Sequence, residues 1–243
     1  MGDAPVGCGP VNSSARPPAT GLVVAIDGTS GSGKSSTSRG VAARLGLRYL
    51  DTGAMFRAVT WWLLREGVDV HDAAAVAARC AEPEIDSGTD PSAPTIDVDG
   101  TDVRLAIRGD DVNAAVSPVS AVPEVRSRLL RLQREIISRE AAGAGIVVEG
   151  RDIGSVVAPD APVKVYLSAD PAARAVRRSA EQGGTDVSAT QESLLARDRI
   201  DSGRTTSPLV MAEGAVHIDG TAYSLDEVVD LVVSLVAARE AAL

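Results

Sequence analysis

Short apolar runs that end in polar or charged residues recur along the chain. The first of them, LVVAID at residues 22–27, has five apolar residues followed by an aspartate. Runs of this length and composition are typical of strands that are buried on both faces of a parallel sheet. We therefore predict strands at residues 22–27, 48–51, 146–152, 162–170 and 215–220.

The segments between these strands carry apolar residues at helical spacing. A first helix is expected from about residue 33 to a stop at Gly46, and a second has Thr52 as its expected N-cap and Gly67 as its terminal glycine. Residues 112–141 carry Leu, Ile and Val on one face and arginines on the other, which indicates helix. Further helices are predicted at residues 170–184, 188–204 and 224–240.

The pattern changes between residues 82 and 111, which are richer in proline and aspartate. Here the stretch TIDVDGTDVRLAI, residues 95–107, alternates apolar and polar residues on both sides of an Asp-Gly pair. This alternation around Asp-Gly is typical of a β-hairpin with a tight turn. We predict a small inserted subdomain that contains this hairpin.

The order of these elements indicates the fold class. Strands that alternate with helices favour an α/β fold with a doubly wound parallel sheet of about five strands and helices on both faces. Residues 1–20 are rich in Pro, Gly, Ser and Ala and are expected to form a disordered tail. Residues 21–243 are then expected to form one domain.

Composition and charge narrow the possible partners. The net charge of −9 disfavours a nucleic acid polymer, although a local cluster of cations can still hold a small anion. Apolar runs stay well short of the ~20 residues of a membrane-spanning helix, and the N-terminal segment lacks the apolar centre of a signal peptide. We therefore expect no membrane partner and a cytoplasmic location. Cys8 and Cys80 provide neither a disulfide framework nor a metal-ligand spacing.

The first predicted strand runs directly into GTSGSGKSS, residues 28–36. Four of these residues meet the pattern G-x-x-x-x-G-K-[ST] between a strand and a helix, the context in which that pattern forms a phosphate-binding loop. Backbone N–H groups and the helix N-terminus then hold nucleotide phosphates, the lysine contacts the β and γ oxygens, and the serine after it binds Mg²⁺. The residues expected to bind ATP are Gly28, Thr29, Ser30, Gly31, Ser32, Gly33, Lys34, Ser35 and Ser36.

Such a loop occurs in switch GTPases, motor ATPases and small-molecule kinases. A GTPase would need an N-K-x-D stretch, and neither lysine of this chain, Lys34 or Lys164, stands in one. Hexameric ATPases usually exceed this length. A kinase needs positive charge on both sides of the transferred group, and Arg151 ends a predicted strand where α/β sheets bind ligands. Other arginines suited to this purpose are Arg57, Arg197, Arg199 and Arg204.

Five segments resemble the bacterial cytidylate kinase family: IDGTSGSGKSS, LDTGAMFRAVT, AVSPVSAVPEVRSRLLRLQR, EGRDIGSVVAPDAPVKVYLSAD and RDRIDSGRTTSPL. The resemblance runs from about residue 22 to the C-terminus, and its EGRD and RDxxDxxR motifs are much more specific than the phosphate-binding loop. It implies transfer of the γ-phosphate of ATP to CMP or dCMP with Mg²⁺. It also implies a core, an inserted CMP-binding subdomain at about residues 82–111 and a mobile lid at about 181–206, and we expect a monomer.

The resemblance also implies roles for individual positions. The catalytic set is Lys34, Arg151 and Arg204, with no catalytic base, because an ionised phosphate oxygen of CMP attacks the γ-phosphorus directly. For CMP, it implies that Thr52, Arg57, Arg151 and Arg204 bind the phosphate, that Ser117, Arg126 and Asp152 bind the cytosine, and that Arg197 and Asp201 bind the pentose. For ATP, the candidates for binding the phosphates are Arg174, Arg177 and Arg178. For Mg²⁺, the implied residues are Ser35 and, through water, Glu149.

Two positions depart from the family pattern, Thr29 in place of a common proline and Glu149 in place of a common aspartate. Two other functions stay open on the residues. One is a regulatory protein that uses the loop as a nucleotide switch and does not turn over ATP when CMP is added. The other is a kinase for UMP, another nucleotide or a small acceptor such as shikimate.

Overall fold

The computed structural model describes residues 21–181, 183–204 and 206–241, so the predicted tail at residues 1–20 lies outside the described residues. Its strands are β1 Val23–Gly28, β2 Arg48–Asp51, β3 Ile85–Ser87, β4 Ile96–Val98, β5 Thr101–Asp102, β6 Ile146–Gly150, β7 Val163–Ser168 and β8 Val216–Asp219. Its α-helices are α1 Lys34–Leu45, α2 Thr52–Arg65, α3 Ala73–Arg79, α4 Asp110–Ala121, α5 Pro123–Ala141, α6 Pro171–Glu181, α7 Val187–Gly203 and α8 Leu225–Glu240.

The five predicted core strands form one sheet in the order β2-β6-β1-β7-β8, with all neighbours parallel. β1 lies in the centre, and all six of its residues are buried, as its apolar run predicts. β1 lies between β6 and β7, both of which come later in the chain. The carboxyl ends of β1 and β6 therefore border a crevice at a topological switch point. The predicted doubly wound sheet is confirmed.

Helices cover both faces of this sheet. On one face α2, α4 and α5 bury Met55, Leu63 and Leu129, and on the other α1 and α8 bury Val41 and Val232. Val, Leu, Ile and Ala fill most of both layers, which agrees with an aromatic content of 2%. In the described part of the chain, no helix is long and apolar enough to cross a membrane.

The predicted hairpin is present as β4 and β5. Its turn residues Asp99 and Gly100 have φ values of 50° and 73°, the left-handed conformation that a two-residue turn of this kind requires. Sequence analysis missed β3, which extends the hairpin to a three-stranded antiparallel sheet, and the short helix α3. Arg128 of α5 donates hydrogen bonds to the carbonyl oxygens of Cys80 and Pro83 and so fastens this insert to the core.

Two helix boundaries differ from the predictions. Thr52 is not the N-cap of α2: Asp51 is, because its carboxylate accepts from the Ala54 N–H at 2.9 Å, and Thr52 is the first helical residue. The helical region at 112–141 is also not continuous. It breaks at Val122, which is extended because Pro123 disfavours helical conformation in the residue before it.

Candidate active site

A cavity of about 510 Å³ lies at the carboxyl edge of the sheet. Residues from the loop after β1, the start of α2, the helices α4 and α5, the end of β6 and the helix α7 line it. The predicted residues that it brings together are Ser30, Gly31, Gly33, Lys34, Ser35, Ser36, Thr52, Arg57, Ser117, Arg126, Glu149, Arg151, Asp152, Arg178, Arg197, Asp201 and Arg204. Predicted residues outside this lining are Gly28, Thr29, Ser32, Arg174 and Arg177.

The loop after β1 is shaped by its glycines. A side chain at Gly28 would collide with the Leu167 carbonyl oxygen, 1.9 Å from where its Cβ would lie, and Gly31 and Gly33 have φ values of 72° and 91°. Lys34 folds back across the loop and donates to the Thr29 carbonyl oxygen at 2.6 Å. Because α1 begins at Lys34, the positive end of its dipole points toward the cavity.

Glu149 lies at the base of the cavity beside the loop. Its Oε2 accepts from the Ser35 hydroxyl at 3.0 Å, and its Oε1 accepts from the Tyr49 hydroxyl. Burial and the nearby Asp51 raise the pKa of Glu149, whereas burial and the positive charge of Arg151 lower the pKa of Lys34. Sequence analysis missed Tyr49, which lies on β2 opposite Val147 of β6 and reaches Glu149, two residues further along β6, with its hydroxyl.

Arg151 joins the phosphate-binding loop to α7. It donates to the Gly28 carbonyl oxygen and the Ser30 hydroxyl, each at 2.5 Å, and its Nε lies 2.9 Å from Asp201 Oδ2. Arg204 lies 3.3 Å from the other oxygen of the same carboxylate. Asp201 therefore holds two cations together at the point where the two sides of the cavity meet.

The cations of the cavity disfavour one another's charged form. Burial and Arg197 lower the pKa of Arg57 to about 9, and burial and Arg151 lower the pKa of Arg197 to about 10. The buried Nε of Arg197 makes no hydrogen bond within the part of the chain that the structure describes. Crowded, partly desolvated cations of this kind bind an anion strongly, because its charge relieves their repulsion.

A second group of polar residues lies at the α4–α5 end of the cavity. Arg126 and Asp152 are both buried and form an ion pair at 2.5 Å. The Arg126 guanidinium also stacks over Phe56, 5.3 Å from the ring centroid, and Ser117 lines the same wall. An aromatic face beside a buried carboxylate and a guanidinium suits a flat heterocycle with both donor and acceptor groups. Sequence analysis did not identify Phe56 as a site residue.

Asp27 supports this part of the site from below. Its carboxylate oxygens accept from the N–H groups of Ile153 and Gly154, both at 2.7 Å, directly after Arg151 and Asp152 in the chain. These bonds open a π-helical turn, Ile153–Val157. Burial raises the pKa of Asp27 to about 6. Sequence analysis missed Asp27 as a site residue, although a polar residue near the carboxyl end of the central strand could have indicated it.

Three arginines that sequence analysis singled out are placed elsewhere. Arg174 is buried beneath the phosphate-binding loop, and Arg177 donates to the Gly220 carbonyl oxygen. Arg199 is exposed on α7. Arg178, by contrast, lines the cavity, although it lies only one helical turn after the buried Arg174 on α6.

A phosphate-binding loop on a doubly wound sheet, opposite a cluster of arginines and a buried polar pocket, defines the class of P-loop phosphotransferases. The chain is similar in fold to an uncharacterized protein from Eubacterium ventriosum, with a TM-score of 0.50 and 13% identity over 90% of this chain and 99% of that one.

Sequence comparison gives the family. The family model described as cytidylate kinase matches residues 24–238. The cytidylate kinase of Streptomyces avermitilis is 57% identical over 91% of this chain and 95% of its own length, and that of Streptomyces coelicolor is 56% identical over 95% and 99%. The chain belongs to the cytidylate kinase family and is an ATP-dependent nucleoside monophosphate kinase.

Proposed function

We propose that this protein transfers the γ-phosphate of ATP to CMP or dCMP within the 510 Å³ cavity. The observation that carries this proposal is the position of Arg151, which contacts both the phosphate-binding loop and the carboxylate of α7. A cation placed between a donor site and an acceptor site can neutralise the charge that passes from one to the other.

ATP binds along the loop after β1. Backbone N–H groups of residues 28–36 hold its phosphates, Lys34 neutralises the β and γ oxygens, and Arg178 approaches from α6. The Lys34 contact with the Thr29 carbonyl oxygen supports this assignment, since it holds the ammonium group over the loop rather than out in solvent.

CMP binds on the opposite side. Arg57, Arg151 and Arg204 surround its phosphate, with the hydroxyl of Thr52 nearby, and Arg197 with Asp201 holds the pentose. The cytosine lies against Phe56, with Ser117, Arg126 and Asp152 around its polar edge. Support comes from the lining of the cavity, which contains every one of these residues.

The reaction needs no covalent intermediate and no base. The attacking oxygen of CMP is already ionised near neutral pH, so the protein contributes alignment and charge neutralisation. Lys34, Arg151 and Arg204 supply that charge. The alternative acceptors are poor matches for the pocket, because Asp152 would face a carbonyl oxygen in uracil and because shikimate lacks a flat aromatic ring to lie against Phe56.

The site also suits Mg²⁺. Within the described residues no three His, Cys, Asp or Glu side chains cluster to hold a metal by themselves. The Ser35 hydroxyl and the Glu149 carboxylate, 3.0 Å apart, are hard oxygen ligands of the kind that Mg²⁺ takes together with substrate phosphates and water. When bound, the ion would neutralise charge on the β and γ phosphates. Ser35 would hold it directly and Glu149 through water.

We further propose the division into parts. The lid comprises about residues 181–206, which include α7 and follow α6 in the chain. The three-stranded sheet belongs to an inserted subdomain that borders the CMP side, and the protein works as a cytoplasmic monomer. The glycine pair at 183–184 between the two helices supports a hinge, because both residues have positive φ.

An acceptor screen tests the proposal. ADP release from ATP would be measured with CMP, dCMP, UMP, AMP and shikimate as acceptors, each with and without Mg²⁺. We expect turnover with CMP and dCMP that requires Mg²⁺. Equal turnover with UMP, or turnover with shikimate alone, would show that the acceptor pocket has been assigned wrongly.

A further inference from the structure

The backbone of Ser30 is held by two charged side chains from outside its loop. Its N–H donates to Asp198 Oδ1 at 2.8 Å, and its carbonyl oxygen accepts from Arg174 Nη1 at 2.8 Å. Arg174 and Asp198 are themselves paired at 2.5 Å, with side chains only 4% and 13% exposed. One ion pair therefore forms hydrogen bonds with both the backbone N–H and the backbone carbonyl oxygen of Ser30 in the phosphate-binding loop.

The two helices of the hairpin also pack directly against the next residue of the loop. A Cβ at Gly31 would lie 3.3 Å from Leu194 Cδ1 and 3.5 Å from Arg174 Cβ. Leu194 is on α7 and Arg174 is on α6, so both helices contribute. The shape of the loop at Ser30 and Gly31 thus depends on where the hairpin lies.

Arg174 does not line the cavity, and two of its three guanidinium nitrogens bond within the protein, which favours a structural role over a contact to ATP phosphates. Its Nε donates to the Ala169 carbonyl oxygen at 3.0 Å, and its Nη1 is shared between Ser30 and Asp198. A buried ion pair is weak evidence for added stability, because desolvation offsets much of the attraction. Its value here is geometric, since a planar guanidinium and a carboxylate fix the distance and angle between two helices and a loop.

We propose that Arg174 and Asp198 are positioning residues that hold the phosphate-binding loop in its ATP-binding shape while the α6–α7 hairpin is docked. The clamp formed by these two residues acts through Ser30 and does not touch either substrate. It links the donor loop to the helix that carries Arg197, Asp201 and Arg204. The inference rests on the assignment of the loop to ATP proposed above.

Binding measurements on matched variants test the clamp. Calorimetric titration of ATP and of CMP would be carried out separately on the wild-type protein, Asp198→Asn, Arg174→Lys and Glu192→Gln. Asp198→Asn retains the size of the side chain and an acceptor for the Ser30 N–H but removes the charge that pairs with Arg174. Glu192→Gln removes one carboxylate from an exposed position of the same helix and is the control.

We expect the dissociation constant for ATP to rise about tenfold in Asp198→Asn and Arg174→Lys, and that for CMP to change less than about threefold. Glu192→Gln should match the wild type for both ligands. Because both residues belong to one clamp, the Asp198→Asn/Arg174→Lys double variant should bind ATP about as weakly as either single variant. Amide hydrogen exchange at Ser30 and Gly31 should be faster in Asp198→Asn, which reports loop anchoring independently of activity.

Each contrary outcome has a distinct meaning. ATP affinity and Ser30 exchange that stay at wild-type values in Asp198→Asn would overturn the clamp. A larger loss for CMP than for ATP would also overturn it, since that would place the effect on the acceptor side. If the wild-type protein itself failed to bind ATP, the assignment of the loop would be wrong and the clamp would fall with it.

Discussion

At the scale of single residues, the site depends on charge that is fixed before the substrates arrive. Lys34, Arg151 and Asp201 are each held by at least one contact of 2.9 Å or less to another part of the protein. Preorganised charges of this kind do not have to be reoriented during the reaction, which is why they lower its barrier more than water does.

Lys34 provides the simplest test of this view. Lys34→Ala should lower turnover a hundredfold or more, which corresponds to the ~3 kcal/mol that one preorganised charge contributes to a transition state. The other lysine, Lys164, bonds to the Glu213 carbonyl oxygen outside the cavity, so Lys164→Ala is the matched control and should retain activity. Near-normal turnover in folded Lys34→Ala protein would contradict the assignment of the loop.

Asp152 tests the choice of base. Cytosine presents an amino donor at position 4 where uracil presents a carbonyl acceptor, and a carboxylate matches only the donor. We expect CMP to be preferred over UMP by about a hundredfold, since a mismatch leaves buried polar groups unpaired. Asp152→Asn should narrow this ratio mainly by impairing CMP.

The ratio of kcat/KM values for CMP and UMP in the two proteins measures this effect. Asp160→Asn, a change at an exposed aspartate, serves as the control and should leave the ratio unchanged. If the wild-type protein used both nucleotides equally well, the assignment of Asp152 to the base pocket would be wrong, although the protein would still be a kinase.

At the scale of elements, the helices of the α6–α7 hairpin pack mainly against each other rather than against the strands of the sheet. The hairpin's contacts with the rest of the protein include Leu194 on Gly31, Asp198 on Ser30 and Asp201 on Arg151. By contrast, α1 packs on α8 so closely that a Cβ at Gly40 would lie 2.7 Å from Val229. Elements held by few contacts open locally at low free energy and are the ones that act as lids.

Hydrogen exchange tests the motion of this hairpin. Exchange across residues 183–204 should slow when ATP and CMP, or a bisubstrate mimic, are bound, because we propose that both ligands contact its inner face. Residues of α8 should exchange at the same rate with and without ligand. Unchanged exchange in the hairpin at saturating ligand would mean that it is not a lid.

At the scale of the whole molecule, the free energy of unfolding should depend on pH because of the ionisation of Asp27. Its folded-state pKa of about 6 lies above the ordinary value of 3.8, so the folded protein prefers this group protonated. Its contribution to stability is therefore fully present below pH ~4 and is lost as the pH rises through about 6.

The measurement compares wild-type protein with Asp27→Asn, whose side chain does not titrate. The difference in free energy of unfolding, wild type minus variant, should fall by roughly 2 kcal/mol between pH 4 and pH 7. Chemical denaturation at several pH values gives this difference directly. A difference that is constant across this range would show that Asp27 ionises without cost in the folded state.

Much of the fold could be predicted because its signals are local. Each core strand is a short apolar run, long helices such as α5 have a repeating apolar face, and the Asp99–Gly100 turn is encoded by two adjacent residues. The missed helix break at Val122 had a local signal in Pro123, whereas the error at Thr52 occurred where tertiary contacts decide the local structure. Thr52 could not be distinguished from Asp51 as a cap without knowing that its hydroxyl donates to the Glu149 carbonyl oxygen, 97 positions away.

The sequence by itself determined the phosphate-binding loop, the family and most of the residues that line the cavity, because motifs such as EGRD and RDxxDxxR keep functional side chains at fixed short spacing. Only the tertiary structure decided which arginine of α6 faces the cavity and which one lies beneath the loop. It also decided that Asp198 bonds to Ser30 across 168 positions and that Asp27 supports Ile153 across 126. Such contacts depend on how helices and strands pack, and helix packing depends on the whole set of buried surfaces rather than on any one segment.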